Sequence, residues 1–66
     1  MTEQFLRSEI IEFLLEQDKI ERYQAYEFST SLLCLIAAIN DYSFSDDMIN
    51  ELPHLLPTPQ EITKYK

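Results

Sequence analysis

The sequence predicts an all-α protein, and three observations predict it. The 66-residue chain contains no glycine, where about four or five would be expected at average usage. Without glycine, sharp hairpins, bulges and phosphate-cradling loops are hard to build. The run Leu32 to Ile39 is eight consecutive apolar residues in a chain of net charge −7. It is rich in helix formers (Leu32, Leu33, Leu35, Ala37, Ala38), and only Ile36 and Ile39 are β-branched. Finally, apolar residues on either side of that run recur at helical spacing.

At this length the chain is expected to be one small helical domain, residues 1–66,. So small a core is marginal alone. A single cysteine, Cys34, allows no internal disulfide and fits a packing role in a reducing compartment,. The start, Met1-Thr2-Glu3-Gln4, lacks a basic region followed by an apolar one, so a cytoplasmic location is the default,.

Taken in order, Thr2 caps a first helix whose stripe is Leu6, Ile10, Phe13, Gln17 and Ile20, widened by Ile11, Leu14 and Leu15,. Glu9, Glu12 and Glu16 occupy its other side. Glu3 with Arg7, and Asp18 with Arg22, are i,i+4 pairs of the favourable order. The stripe then loses phase: a step of five residues, Ile20 to Ala25, rotates it by about 140°. A turn between Asp18 and Tyr26 is expected, giving two antiparallel helices of similar length. A continuous long helix paired with a second chain is the alternative. Asp18 with Glu21 has the form of a capping box, and Ser29, Thr30 and Ser31 are other candidate caps.

The second helix presents Ala25, Phe28, Leu32, Leu35, Ile39 and Tyr42 on a large-residue face, with Tyr26, Leu33 and Ile36 beside it. Ser31, Cys34 and Ala38 form a small-residue side where another backbone can come close. The first helix cannot cover both sides, so a homodimer is expected, with Ser31, Cys34 and Ala38 as the self-association stripe. Left-handed helix ends fall to Asn40, Asp41 and Asn50, because glycine is absent. Ser45 caps a third helix with Asp46 and Asp47 in its first turn, and Pro53 stops it. Thr58-Pro59-Gln60-Glu61 starts a fourth, reaching Tyr65. The expected architecture is thus a small helical hairpin or bundle: two longer antiparallel helices plus two short C-terminal ones, dimeric.

Several chemistries are disfavoured. The phosphate loop and the dinucleotide fingerprint both require glycines. Zinc needs three or four ligands, and one Cys and one His have no ligand spacing. Asp41 to Leu52 has oxygen-bearing side chains at the early positions of a calcium loop, but Asp46 replaces the glycine and Leu52 the bidentate glutamate. No cofactor or metal is expected. Cys34 with His54 could pair as nucleophile and base, but a thiol in the middle of an apolar helix is inert. From Tyr23 to Thr63 there is no Lys or Arg, and a field of this sign repels phosphate backbones and anionic membranes.

The expected function is therefore non-catalytic: an acidic protein-interaction module acting as a regulator (inhibitor, neutraliser or adaptor) of another protein, with a basic surface on that partner as the complementary choice. Candidate partner-binding residues are Glu9, Glu12 and Glu16; Tyr23 and Tyr26, since tyrosine favours interfaces; and Asp41, Asp46, Asp47 and Glu51. Those acids could instead imitate a row of phosphates, making the protein a nucleic-acid mimic that blocks a DNA- or RNA-handling protein. A self-assembling structural subunit is the third reading.

Overall fold

The computed structural model describes all 66 residues, Met1–Lys66, and has helices and no strands. Helix α1 spans Glu3–Glu16, α2 Gln24–Glu27, α3 Thr30–Ile39, α4 Asp46–Glu51 and α5 Pro59–Tyr65, with a 3-10 turn at Pro53–Leu55. The radius of gyration, 11.0 Å, is that of a compact chain of this length, about 11 Å.

Every helix of six residues or more starts at a hydroxyl. The Thr2 side chain accepts the Phe5 N–H at 3.1 Å, Ser29 that of Leu32 at 3.2 Å, and Ser45 that of Met48 at 3.3 Å. Thr58 forms a full capping box: its Oγ1 accepts the Glu61 N–H at 3.2 Å and its own N–H donates to Glu61 Oε1 at 3.0 Å. These satisfy amides that have no partner inside the helix.

The two main helices end on aspartates. Asp18 (φ 56°) and Asp41 (φ 65°) are the residues at positive φ. After α1, the Lys19 N–H reaches Leu14 O at 2.9 Å and the Asp18 N–H reaches Leu15 O at 3.1 Å. After α3, the Tyr42 N–H reaches Ala37 O at 3.0 Å and the Asp41 N–H reaches Ala38 O at 3.1 Å. Both are Schellman closures, with aspartate in the place glycine usually takes. Asp18 therefore terminates α1 and does not cap a second helix. Asn40 (φ −103°) is not left-handed, and Asn50 lies inside α4.

The path between α1 and α3 departs from the expected hairpin. α1 stops at Glu16, and α3 begins only at Thr30, because Phe28 and Ser29 are extended. The short α2 sits between them. The connector runs back along α1 to its beginning: Arg7, in the second turn of α1, touches Ala25, Phe28 and Thr30. Phe13, near the end of α1, meets Tyr42 just beyond the end of α3, with ring centroids 4.8 Å apart. Thus α3 runs in the same sense as α1, not antiparallel to it. A parallel pair needs a long return segment, which Gln17 to Ser29 supplies.

This changes what covers the apolar helix. Leu6, Ile10 and Leu14 of α1 join Leu33, Cys34 and Ala37 of α3 in one buried cluster with Ile20, Ala25 and Met48. The small residues Cys34, Ala37 and Ala38 are buried inside the monomer, and Leu32, expected on a core face, is 40% exposed. The 3-10 turn and α5 also pack on α3. The uncovered sides from which a second copy was inferred are therefore largely covered by the chain itself. The ring of Tyr42 extends the core edge, 4.8 Å from Phe13 and 5.0 Å from Phe44, both edge-on,.

Arg7 does not form the surface pair with Glu3 that their spacing suggested. Its Nη2 donates to Ala25 O at 2.9 Å and Phe28 O at 3.1 Å, and its Nη1 to Thr30 Oγ1 at 2.9 Å. Thr30, 4% exposed, donates in turn to Glu3 Oε2 at 2.6 Å. Asp18 and Arg22 are not paired either. The chain's ion pairs are instead the N-terminal amine with Glu51, and Lys66 with Asp41.

Two consequences are measurable by urea unfolding. Arg7→Met should destabilise the protein by about 2–3 kcal/mol, because two carbonyls and a buried hydroxyl lose a charged donor. Arg7→Lys should recover little of that, since one ammonium cannot reproduce the planar fork. Asp18→Gly should stabilise by about 0.5–1 kcal/mol by relieving the left-handed backbone. An unchanged or lower midpoint would contradict the Schellman assignment.

Candidate functional site

The most developed concavity is an open groove of about 400 Å³ between α1 and the connector that runs back beside it. One wall is a ridge of α1: Gln4, Ser8, Ile11 and Leu15, with Glu12 on the rim. The other wall is Arg22, Ala25 and Tyr26. The sequence builds both walls from local rules. The ridge residues are spaced 4, 3 and 4, so they line up along one edge of α1,. The connector is held in place by the Schellman turn at Asp18, by buried Ile20 and Ala25, and by the Gln24 side chain, whose Oε1 accepts the Glu21 N–H at 2.7 Å. Arg7 fixes its far end. Ala25 is small enough for α2 to lie close to α1.

The groove has a mixed lining. Ile11 and Leu15 are half-buried and give it an apolar floor, while Gln4 and Ser8 make one end polar. Glu12 and Arg22 stand on opposite walls, and neither is in an ion pair. Tyr26 is 83% exposed and Tyr23 61%. Such rings in water are costly relative to burial, and a partner would bury them.

Of the acids and tyrosines picked from the sequence, the structure brings Glu12 and Tyr26 together in the groove. Glu16 is exposed on the next turn of α1, and Tyr23 is exposed at the start of α2. Glu9 is half-buried beside Tyr42, whose hydroxyl is pushed up from its ordinary pKa by burial first, then by the Glu9 carboxylate and by Cys34. Asp41 pairs with Lys66 and Glu51 with the N-terminal amine. Asp46 and Asp47 remain exposed, in the first turn of α4. The acidic stretch Asp41 to Glu51 is thus half compensated, which weakens its likeness to a row of phosphates. Ser31, Cys34 and Ala38 do not form an exposed stripe: Cys34 and Ala38 lie in the interior, and only Ser31 is at the surface.

The sequence reading missed Arg22, Gln4 and Ser8. The phase of Gln4 and Ser8 with Ile11 and Leu15 was the available signal.

A smaller hollow of about 180 Å³, lined by Ser31, His54, Leu55, Leu56, Pro57 and Glu61, lies where the 3-10 turn and α5 meet α3. No group of three or more His, Cys, Asp or Glu side chains is arranged to hold a metal ion. No helix is long and apolar enough to cross a membrane. No known family model, curated relative or solved structure matches the chain.

Cys34 is fully buried, and that burial pushes its thiol up to about 11, with Arg7 acting to lower it and Glu3 to raise it. An activated nucleophile would be shifted the other way. The folded pKa lies above the unfolded value of 9.0, so the unfolded chain loses its proton first. Stability is therefore full below pH 9 and falls as pH rises toward 11, by about 2–3 kcal/mol. The raised Tyr42 acts in the same direction. Cys34→Ala should flatten the loss across this window in urea titrations. The native thiol should resist alkylation at pH 8 and react once urea unfolds the chain.

Proposed function

We propose that this protein is a non-catalytic, cytoplasmic protein-interaction module that regulates a partner by occupying part of its surface. The contact region is the groove side of the molecule, formed by Glu12 and Glu16 of α1 together with Tyr23 and Tyr26. The observation that supports this most is the exposure of the two tyrosines, 61% and 83%, beside an apolar-floored groove. Aromatic side chains are the residues that interfaces use as anchors. A net charge of −7 favours a partner of opposite sign, by steering encounter and by rejecting acidic competitors. Catalysis has no comparable support: the one thiol is buried and protonated.

The test is affinity capture from the native host, with wild type and the Tyr23→Ser, Tyr26→Ser double variant side by side. Both positions are solvent-facing, so the variant should keep the wild-type helical circular dichroism and urea midpoint. The expected result is a protein retained by wild type and lost, by about tenfold or more, with the variant. Equal retention by both, or no protein retained by wild type, would contradict the proposal.

A further inference from the structure

The α1 wall of the groove has the length and the residue register of a seat for a helix. Gln4, Ser8, Ile11 and Leu15 form a seam in the register by which one helix presents an edge to another,. From Gln4 to Leu15 the seam is about 16 Å long at 1.5 Å per residue, room for three turns of a second helix. α2 closes the opposite side but is four residues long, so it leaves most of the seam uncovered. Ile11 and Leu15 pack against the core on one side and are half-buried, with their remaining surface lining the groove nearer the α1 C-terminus.

Charge selects among possible occupants. Glu12 stands on the α1 rim, with Glu16 one turn further on outside the groove lining and Arg22 on the opposite wall, and neither carboxylate is in an ion pair, so the acidic edge is the α1 side alone. A second copy of this chain would bring another net charge of −7 to the same rim, which like-charge repulsion opposes. A helix with Lys or Arg along one edge of its apolar stripe satisfies both the floor and the rim.

Building on the interaction-module reading, we propose that the groove docks an amphipathic, basic-edged helix of the partner protein. Its aliphatic residues sit on Ile11 and Leu15, its lysines or arginines face Glu12 and Glu16, and Tyr26 packs against its side. This is helix-in-groove recognition, read through anchors three and four residues apart.

The probe is a synthetic three-turn helical peptide with leucines on one stripe, lysines along one edge and glutamines elsewhere. Its control has glutamate in place of every lysine. Binding is followed by amide shifts of the labelled full-length protein. The Leu/Lys peptide should shift Ser8, Ile11, Glu12, Ala25 and Tyr26, and the Leu/Glu peptide should leave them in place. Glu12→Lys should weaken the Leu/Lys peptide about five- to tenfold, the effect of reversing one rim ion pair. Tyr26→Ala should weaken it by about tenfold. The double variant Asp46→Asn, Asp47→Asn changes the net charge by the same amount as Glu12→Lys and should bind as wild type does.

Shifts spread over α4 as much as the groove, equal binding of both peptides, or equal weakening by the Glu12 and the Asp46/Asp47 variants would overturn the proposal. So would an absence of groove shifts at millimolar peptide. That last result overturns the basic helix as occupant even if a partner is captured through Tyr23 and Tyr26, because capture tests only that the surface binds.

Discussion

A guanidinium at the meeting point of three helices fixes the path of this chain. Arg7 donates to Ala25 O within α2, to Phe28 O, where α2 ends, and to Thr30 Oγ1, where α3 begins. Those groups lie between 18 and 23 positions further along the chain. The contact therefore requires the connector to travel the length of α1 in reverse before α3 starts. Once it does, α3 must run in the same sense as α1, and Phe13 finds Tyr42 at the other end. Charge-assisted bonds to carbonyls are among the stronger contacts in a small domain, and here they replace the apolar area that a four-residue helix cannot supply. The groove is a by-product of that path: a connector held beside α1 along only part of its length leaves a channel.

The helix start and stop signals at Thr2, Ser45, Pro53 and Thr58 were faithful, the i,i+4 ion pairs were not, and the long-range path was in neither. Thr2, Ser45 and Thr58 start helices where their chemistry said they would, Pro53 ends α4, and α5 runs from Pro59 to Tyr65. Each of these is decided within four residues. The direction of α3 is decided by Arg7 and Thr30, 23 positions apart, and no spacing rule joins them. Arg7 was instead assigned to Glu3 because the i,i+4 rule sees a single helix. The two side chains do meet, but through Thr30 of another helix. Asp18 was ambiguous for a related reason: aspartate is both a good N-cap and a tolerated left-handed residue. In a chain without glycine the second use prevailed.

The candidate site was legible in part. Glu12 and Tyr26 were singled out from charge and residue type, and they face the same groove. Their proximity, and the Ile11 and Leu15 floor, depend on the returning connector. The small residues of α3 show the opposite error. Cys34 and Ala38 looked like a seam for a second copy, and they are the seam that lets parts of this chain approach each other. The acidic stretch likewise lost half its excess to Lys66 and the N-terminal amine, cations distant in sequence.

The parallel course of α1 and α3 underlies the clasp and the groove, and nuclear Overhauser contacts in the labelled protein test it most directly. The parallel pair gives contacts from the Arg7 side chain to Thr30 and from the Phe13 ring to Tyr42, with none between Phe13 and Thr30. Contacts from Phe13 to Thr30, with Arg7 distant from the start of α3, would show an antiparallel hairpin and contradict the fold, the clasp and the groove together.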